Sequence, residues 1–128
     1  MSLNYTYTDA RIITSPTGLN VGNRFYGVPY NSGGFSTTYE VQGGAFKGLG
    51  GGGDVYFVDK AQLLNNNTGQ LSGYALTDLA AFYRRGVWSL QLNVKNAANN
   101  KYHGTSNQLS YVLPGTPRTF IGSVAVKL

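Results

Sequence analysis

The sequence contains no cysteine and a single histidine, His103, in 128 residues. A chain without cysteine forms no disulfide-stapled scaffold, no thiolate metal site and no thiol redox centre. It also has no run of about 18 consecutive apolar residues, which a transmembrane helix requires. These absences exclude small disulfide-rich folds, thiol chemistry and helical membrane spans for this stretch of sequence.

Charged side chains are also scarce, at 12% of the residues, with ten Lys and Arg against five Asp and Glu. The basic residues are scattered, and only Arg84 and Arg85 are adjacent, whereas a nucleic-acid-binding surface concentrates such charges in one patch. The carboxylates show no metal-ligand spacing, and His103 has no partners at a spacing typical of a catalytic triad. We therefore expect no enzyme, no resident metal or cofactor, and no nucleic-acid partner.

The sequence is instead rich in glycine and tyrosine, with 18 and 10 copies, and in polar–apolar alternation. The clearest alternation runs from Trp88 to Lys95, where every second residue is Trp, Leu or Val and the others are polar. Because successive side chains of a strand point to opposite faces, this pattern predicts a two-faced β-strand. Weaker alternation or enrichment in Tyr, Thr and Val marks further segments, which gives six predicted strands: 3–13, 35–41, 46–59, 75–83, 88–95 and 119–128.

The connections between these strands alternate in length. Residues 42–45 and 84–87 are short, glycine-bearing turns suited to hairpins, whereas 14–34, 60–72 and 104–115 are long and polar. Short turns at one end and long loops at the other are typical of outer-membrane β-barrels, whose strands need about 9–11 residues. We therefore predict an all-β, antiparallel up-and-down meander of about six long strands, forming part of such a barrel.

The whole chain, 1–128, is expected to form one such segment, with residues 1–3 as candidates for a cloning-derived addition. An excised set of strands has two open sheet edges, and such edges pair with other chains. We therefore expect the chain alone to self-associate.

Four blocks of sequence carry a family resemblance. Residues 22–29 (GNRFYGVP) resemble a loop that precedes a strand, and 73–79 (GYALTDL) resemble a GYxxxD strand. Residues 88–102, with WSLQLNVKN and then NNKY, are similar to a W…LxVxNLFDKxY block, and 114–120 (PGTPRTF) to a PGxPRxF approach to a last strand. In this order the blocks resemble the C-terminal barrel strands of TonB-dependent outer-membrane receptors, and among these the receptors for ferric siderophores.

The resemblance implies a function, a location and partners. A parent receptor would import a ferric siderophore or a similar chelate across the cell outer membrane, using TonB through segments outside these 128 residues. Membrane lipid would be a further partner, iron would arrive bound to the siderophore, and this chain alone would not be competent for transport. The long loops carry the candidate ligand contacts, in which tyrosines meet an aromatic or polar siderophore and an arginine attracts an anionic complex: Arg24, Tyr26, Tyr30 and Tyr111.

The alternation also assigns side chains to the two faces of the predicted barrel wall. Trp88, Leu90, Leu92, Val94, Phe120, Val124 and Val126 are predicted to face lipid, and Ser89, Gln91, Asn93, Lys95, Arg118, Ser123 and Lys127 to face the lumen. The same pattern also fits a small soluble β-sandwich or barrel that binds a ligand, with the apolar face turned to a dry core. The loop asymmetry, the strand lengths and the resemblance favour the outer-membrane barrel.

Overall fold

The computed structural model describes residues 1–106 and 112–127. The regular elements in these two ranges are all β-strands, and they include no helix long and apolar enough to cross a membrane. The strands are β1 (Ser2–Tyr7), β2 (Asn31–Glu40), β3 (Leu49–Val58), β4 (Ala61–Gln62), β5 (Gln70–Leu71), β6 (Tyr74–Arg85), β7 (Trp88–Lys95), β8 (His103–Ser106), β9 (Val112–Pro114) and β10 (Thr119–Val126).

Six of these strands form one antiparallel sheet in the order β1-β2-β3-β6-β7-β10. The remaining four form two small hairpins, β4–β5 and β8–β9, within long connections. The predicted up-and-down meander is therefore confirmed. The long connections 8–30 and 59–73 and the described part of 96–118 lie at one end of the sheet, and the short turns 41–48 and 86–87 lie at the other.

The strands are less uniform in length than predicted. β1 has 6 residues, and β7 and β10 have 8 each, so the expectation of at least about nine in every strand is wrong. β1 ends at Tyr7 instead of residue 13 because the following backbone pairs within its own loop. Phe25 N donates to Ala10 O at 3.0 Å, and Ile12 N donates to Asn23 O at 2.9 Å.

The turn between β6 and β7 is shorter than predicted. Arg84 and Arg85 belong to β6, and only Gly86 and Val87 remain for the turn. Gly86 has a φ of 59°, which glycine adopts without strain at the first central position of a two-residue hairpin turn.

The cross-strand register sorts the side chains into two faces. Leu90, for example, lies opposite Tyr83 on β6 and Val124 on β10. The apolar face carries Leu3, Tyr5, Phe35, Tyr39, Val55, Phe57, Leu79, Tyr83, Trp88, Leu90, Leu92, Phe120, Val124 and Val126. The polar face carries Asn4, Ser36, Glu40, Asp54, Asp78, Phe82, Arg84, Gln91, Asn93, Lys95 and Ser123. Tyr56, Leu76 and Ile121 share this face, and Arg85, opposite Trp88, lies on the apolar face.

This register agrees with the predicted grouping of the β7 and β10 side chains, with two corrections. Arg118 precedes β10 and Lys127 follows it, so the alternation of the strand assigns neither of them to a face. On the apolar face, aromatic rings lie toward both strand ends, such as Phe57 near the long loops and Tyr39 and Trp88 near the short turns. This distribution is typical of the interfacial rings of a barrel wall.

The glycine run 50–53 lies within β3, and its first residue is covered by a neighbouring ring. Gly50 lies directly opposite Phe82, and a Cβ at Gly50 would lie 2.3 Å from Phe82 Cζ. The absent side chain therefore lets the Phe82 ring lie over the β3 backbone. Phe82 is one of only two buried apolar residues in the described ranges, the other being Ala61.

Most large apolar side chains of the sheet are uncovered. Leu3 is 79% exposed, Val124 66% and Phe120 65%. A soluble sandwich would bury such a face beneath a second sheet, and the described ranges contain no second layer over it. The apolar face of the described sheet is therefore exposed.

Candidate functional site

Two of the long loops are joined at the end of the sheet where all three emerge. In the first loop (8–30), Gly27 N donates to Gln62 O of the second loop (59–73) at 2.9 Å. Asn65 strengthens this junction, because its O accepts from Asn23 Nδ2 at 3.0 Å and its Oδ1 accepts from Tyr26 N at 3.1 Å. The two loops therefore form one hydrogen-bonded surface rather than two independent segments.

Arg24 lies at the centre of this junction and is only 3% exposed. Its guanidinium pairs with Asp9, donates to Thr8 O at 2.8 Å, and lies 3.4 Å from the centroid of the Tyr30 ring. A buried charge is tolerated when it is paired and hydrogen-bonded. In this geometry the Arg24 charge is compensated within the protein, and the side chain fixes the position of Tyr30.

The other predicted ligand contacts have different surroundings. Tyr26 is half-buried, and its ring lies 5.0 Å from that of Phe25. Tyr30 is also half-buried, against Arg24. The structure thus brings Arg24, Tyr26 and Tyr30 into one loop region, and Tyr111 lies outside the described residues. Contact between any of these side chains and a ligand stays a prediction.

A second anchor joins β1 and β2 to the start of the second long loop, directly after β3. Tyr5 Oη donates to Asn31 Oδ1 at 2.6 Å, and Asn31 Nδ2 donates to Asp59 Oδ2 at 2.8 Å. Asp59 Oδ1 also accepts from Lys60 N at 2.8 Å. These bonds favour the ionised carboxylate, and the Asn31 amide is the main cause of an Asp59 pKa below its usual value. Sequence patterns did not single out Asn31 or Asp59, because their roles depend on partners far along the chain.

The third long loop (96–118) is held by Asn96, which is only 4% exposed. Its backbone N donates to Asp78 Oδ1 at 2.8 Å, and its Nδ2 donates to Asn100 O at 2.9 Å and to Thr116 O at 3.1 Å. Its Oδ1 accepts from Asn100 N at 2.9 Å. The Asn96 side chain thus connects the start of the loop to its end, and its backbone N connects the loop to β6.

Other residues of the third long loop have backbone conformations or contacts that depend on their residue type. Asn96 and Asn99 have φ values of 49° and 54°, in the left-handed region that asparagine tolerates better than most residues. Gly115 lies beneath the ring of Tyr102, where a Cβ would be 2.1 Å from Tyr102 Cζ. The sequence blocks 88–102 and 114–120 therefore form a single folded unit at the top of β7 and β10.

The polar face carries two ion pairs. Lys95 Nζ lies 2.7 Å from Asp78 Oδ2, and Arg84 Nη1 lies 2.7 Å from Glu40 Oε2. Asp54 lies directly opposite Asp78 across β3 and β6. This face therefore offers charged and polar groups to whatever lies on that side of the sheet.

The side chains of the described residues limit which reactions and ligands the site can support. Within residues 1–106 and 112–127, no three His, Cys, Asp or Glu side chains lie close enough together to hold a metal ion. The arrangement can bind through tyrosine, amide and backbone groups of the loops, and it brings no nucleophile, base and acid together there.

The sheet is a one-layer antiparallel meander with one apolar and one polar face. It has short turns at one end and long loops at the other. Together these features define a class of protein, the outer-membrane β-barrels, and the strands are part of such a barrel's wall. The profile of the family described as "TonB dependent receptor-like, beta-barrel" matches residues 1–97. The chain belongs to the TonB-dependent receptor β-barrel family, whose members are receptors of the Gram-negative outer membrane.

Two curated relatives agree with this assignment. The chain is 32% identical over 126 residues to the Ferrioxamine B receptor of Salmonella typhimurium (strain SL1344), covering 94% of this chain and 18% of that receptor. It is 30% identical over 124 residues to the Metal-pseudopaline receptor CntO of Pseudomonas aeruginosa (strain UCBPP-PA14), covering 95% of this chain and 17% of that receptor. The chain thus spans less than a fifth of the length of these relatives.

Solved structures show the same fold. BauA, the ferric preacinetobactin receptor from Acinetobacter baumannii, superposes with a TM-score of 0.86 at 28% identity, over 95% of this chain and 18% of that structure. The siderophore receptor PiuA from Acinetobacter baumannii superposes with a TM-score of 0.83 at 23% identity, over 97% of this chain and 19% of that structure. The long-loop and short-turn ends of the sheet therefore correspond to the outer and periplasmic ends of a receptor barrel.

Proposed function

We propose that this chain supplies wall strands and outer loops to a receptor that imports a ferric siderophore, or a similar metal chelate, in a TonB-dependent way. The observation that carries the proposal is the family match over residues 1–97 on a two-faced meander. The relatives named for ferrioxamine B and metal-pseudopaline support a chelated metal as cargo. The chelate brings the metal ligands, the chain is no enzyme, and transport needs the rest of the receptor.

In this proposal the apolar face of the sheet contacts the acyl chains of membrane lipid, and the polar face lines the lumen. Its support is the exposure of side chains such as Leu3 and Val124, together with the ion pairs on the opposite face. Backbone groups at membrane depth need partners within the protein, so β1 and β10 pair with further strands of a closed barrel. A single sheet also lacks the second layer that a soluble sandwich requires.

The ligand contacts we propose are Tyr26 and Tyr30 of the first long loop, with Tyr111 of the third as a further candidate. Arg24 contributes by holding Tyr30, because its own charge is paired with Asp9 and its side chain is buried. Tyr26 → Ala should weaken chelate binding about tenfold, the size of a well-placed aromatic contact. Tyr39 → Ala is a matched control, since Tyr39 lies on the apolar face at the other end of the sheet.

The test of the function is iron uptake by the receptor that contains this chain. Expressed in a bacterium without its own siderophore receptors, it should support radioiron uptake from at least one ferric complex in a panel of hydroxamates, catecholates and carboxylates. Deletion of TonB should abolish that uptake. Uptake that persists without TonB, or a receptor found outside the outer-membrane fraction, would contradict the proposal.

A further inference from the structure

The segment 23–27 of the first long loop lies between two neighbours. On one side, Phe25 N donates to Ala10 O of the same loop at 3.0 Å. On the other side, Tyr26 N and Gly27 N donate to the second long loop, at 3.1 Å and 2.9 Å. The backbone that carries Tyr26 is therefore held from both sides, and one of these sides belongs to another loop.

The second long loop is braced within itself before it meets the first. Leu63 N donates to Gly69 O at 2.8 Å and extends the hairpin β4–β5 into the turn. Inside the turn, Asn66 Oδ1 accepts from Thr68 N at 3.1 Å and from Thr68 Oγ1 at 2.7 Å. These bonds need nothing from the first loop, so the turn 63–69 is a preformed surface on which the segment 23–27 is laid.

Two asparagines of this turn bond the backbone of that segment. Asn65 Oδ1 accepts from Tyr26 N at 3.1 Å. With its amide oriented to satisfy both groups, Asn67 donates from Nδ2 to Arg24 O at 3.1 Å and accepts at Oδ1 from Arg24 N at 3.0 Å. The backbone from which the Arg24 and Tyr26 side chains project is thus positioned by the second loop.

We infer that Asn65 and Asn67 are positioning residues for chelate binding, which act through Tyr26 and Arg24 and do not touch the ligand themselves. This inference rests on the proposed function, because it takes Tyr26 and Tyr30 as the ligand contacts. The Arg24 guanidinium, 3.4 Å from the centroid of the Tyr30 ring, transmits the effect of Asn67 to that ring. Contacts that are held in place before binding leave less conformational entropy to be lost when the ligand arrives.

The composition of the second loop favours this indirect role. Residues 61–73 contain no charged and no aromatic side chain, whereas aromatic and arginine side chains carry most of the energy of binding contacts. The Oδ1 atom of Asn65 and the whole amide of Asn67 are engaged by backbone groups of the first loop. The second loop therefore contributes order to the site, and the first loop contributes the contact groups.

The test is a double-mutant cycle on the full receptor, with equilibrium binding of a ferric complex that it imports. Asn65 → Leu keeps the approximate size of the side chain and removes the acceptor for Tyr26 N. It should raise the Kd about fivefold, the scale of one hydrogen bond. In the Tyr26 → Ala background the same substitution should change the Kd by less than about twofold, because the ring through which it acts is absent.

A rescue variant and a matched control belong to this cycle. Asn65 → Asp keeps an acceptor oxygen for Tyr26 N, so its Kd should return to within about twofold of the wild-type value. Gln70 → Leu removes an exposed amide from the same hairpin, and that amide forms no hydrogen bond to the first loop among the described residues. Its Kd should equal that of the wild type.

Asn67 → Gly tests the second contact independently. It removes the amide that pairs with Arg24, and glycine adopts the φ of 58° found at Asn67 without strain. The Kd should again rise about fivefold, and this rise should disappear in the Tyr30 → Ala background. This variant carries the test if Asn65 → Leu does not reach the outer membrane.

Hydrogen exchange of the segment 23–27 in the ligand-free receptor shows whether the junction itself is loosened. Exchange should be faster in Asn65 → Leu and unchanged in Gln70 → Leu. Faster exchange with an unchanged Kd would mean that the junction serves stability alone, and it would overturn the positioning role.

The remaining outcomes separate this inference from the proposed function. An equal rise in Kd with and without Tyr26, or an unchanged Kd in Tyr26 → Ala alone, would overturn the positioning role and leave TonB-dependent import intact. A receptor that binds and imports no ferric complex of the panel would overturn the proposed function itself.

Discussion

Gly50 and Gly122 occupy strands of the same sheet but have different surroundings. A Cβ at Gly50 would meet the Phe82 ring at 2.3 Å and Tyr39 O at 2.7 Å, whereas nothing lies within 4 Å of one at Gly122. Gly50 → Ala should therefore lower the free energy of unfolding by about 1–3 kcal/mol, the usual cost of overpacking. Gly122 → Ala should change it by less than about 0.5 kcal/mol. Urea unfolding of the receptor in lipid vesicles measures both, and equal values would refute the role of Phe82 as a cover for β3.

The Asp59 carboxylate makes the junction of β2 with the second long loop sensitive to acid. Its pKa in the folded chain is lowered, chiefly by the Asn31 amide. The ionised form therefore stabilises the fold above the unfolded pKa of about 3.9, and this contribution is lost as the pH falls through the lowered value. Asn31 → Ala should raise the Asp59 pKa toward its usual value, as an NMR titration of the carboxyl carbon would show. Asn93 → Ala, on the polar face of β7, should leave it unchanged, and an unchanged pKa in both variants would contradict this account.

At the scale of elements, the third long loop depends on Asn96. Asn96 → Ala removes the side-chain bonds to Asn100 and Thr116 and leaves a residue with a Cβ at a φ of 49°. We expect it to lower the free energy of unfolding by at least about 2 kcal/mol. Asn96 → Gly loses the same bonds without backbone strain, so it should be about 1 kcal/mol less damaging than the alanine variant.

The same measurement can disprove the role of the side chain. If Asn96 → Gly unfolds at the wild-type urea concentration, the side-chain hydrogen bonds of Asn96 contribute no net stability, and the residue matters only for its backbone conformation. Loop accessibility to protease gives an independent check, because loss of these bonds should expose residues 96–102 to cleavage.

The strands with a regular polar–apolar alternation were the part of this fold that could be predicted from the sequence. In β7 and β10 one face is apolar and the other polar, and that alternation is present in their own sequences. β2 was predicted to begin at residue 35 but begins at Asn31, because Gly33 is covered by the Phe57 ring of β3. A contact between neighbouring strands such as this one cannot be predicted from the alternation of residues within one strand.

The loop site was less predictable for the same reason. The aromatic and basic composition of the first long loop drew attention to Arg24, but its burial depends on Asp9, 15 residues earlier. Asn65 and Asn96 act through backbone groups of distant segments, which composition does not reveal. Asn96 ends the WSLQLNVKN block that carries the family resemblance, but the block does not indicate which distant backbone groups it binds.

At the scale of the whole molecule, the assignment of the two faces can be tested at adjacent residues of one strand. Leu79 lies on the apolar face in the middle of β6, and Ala80 lies beside it on the polar face. Leu79 → Arg should lower the free energy of unfolding of the membrane-inserted receptor by about 2–4 kcal/mol if position 79 lies near the bilayer midplane, because no water solvates the charge there. Ala80 → Arg should cost much less. The reverse order of the two costs would invert the face assignment.

The chain by itself presents an unpaired backbone edge on β1 and on β10 within its described part. Its apolar face is also uncovered, and both features drive association in water. Light scattering of the chain alone, without detergent, should show oligomers or aggregates. A compact monomer in plain buffer would contradict this expectation and favour a soluble fold.

The asymmetry of the loops also fixes an order of events during entry into a membrane. The chain has one tryptophan, Trp88, and it lies on the apolar face at the first residue after the two-residue turn. In an approach from the periplasm, this turn remains in the first leaflet that it meets, while the three long loops have to cross to the far side. The emission of Trp88 should therefore shift to the blue at the start of insertion and stay constant while the loops translocate. Protection of the loops from protease in the starting compartment should develop later. The interval between the Trp88 emission shift and this protection is the time that the polar loops take to cross the hydrocarbon.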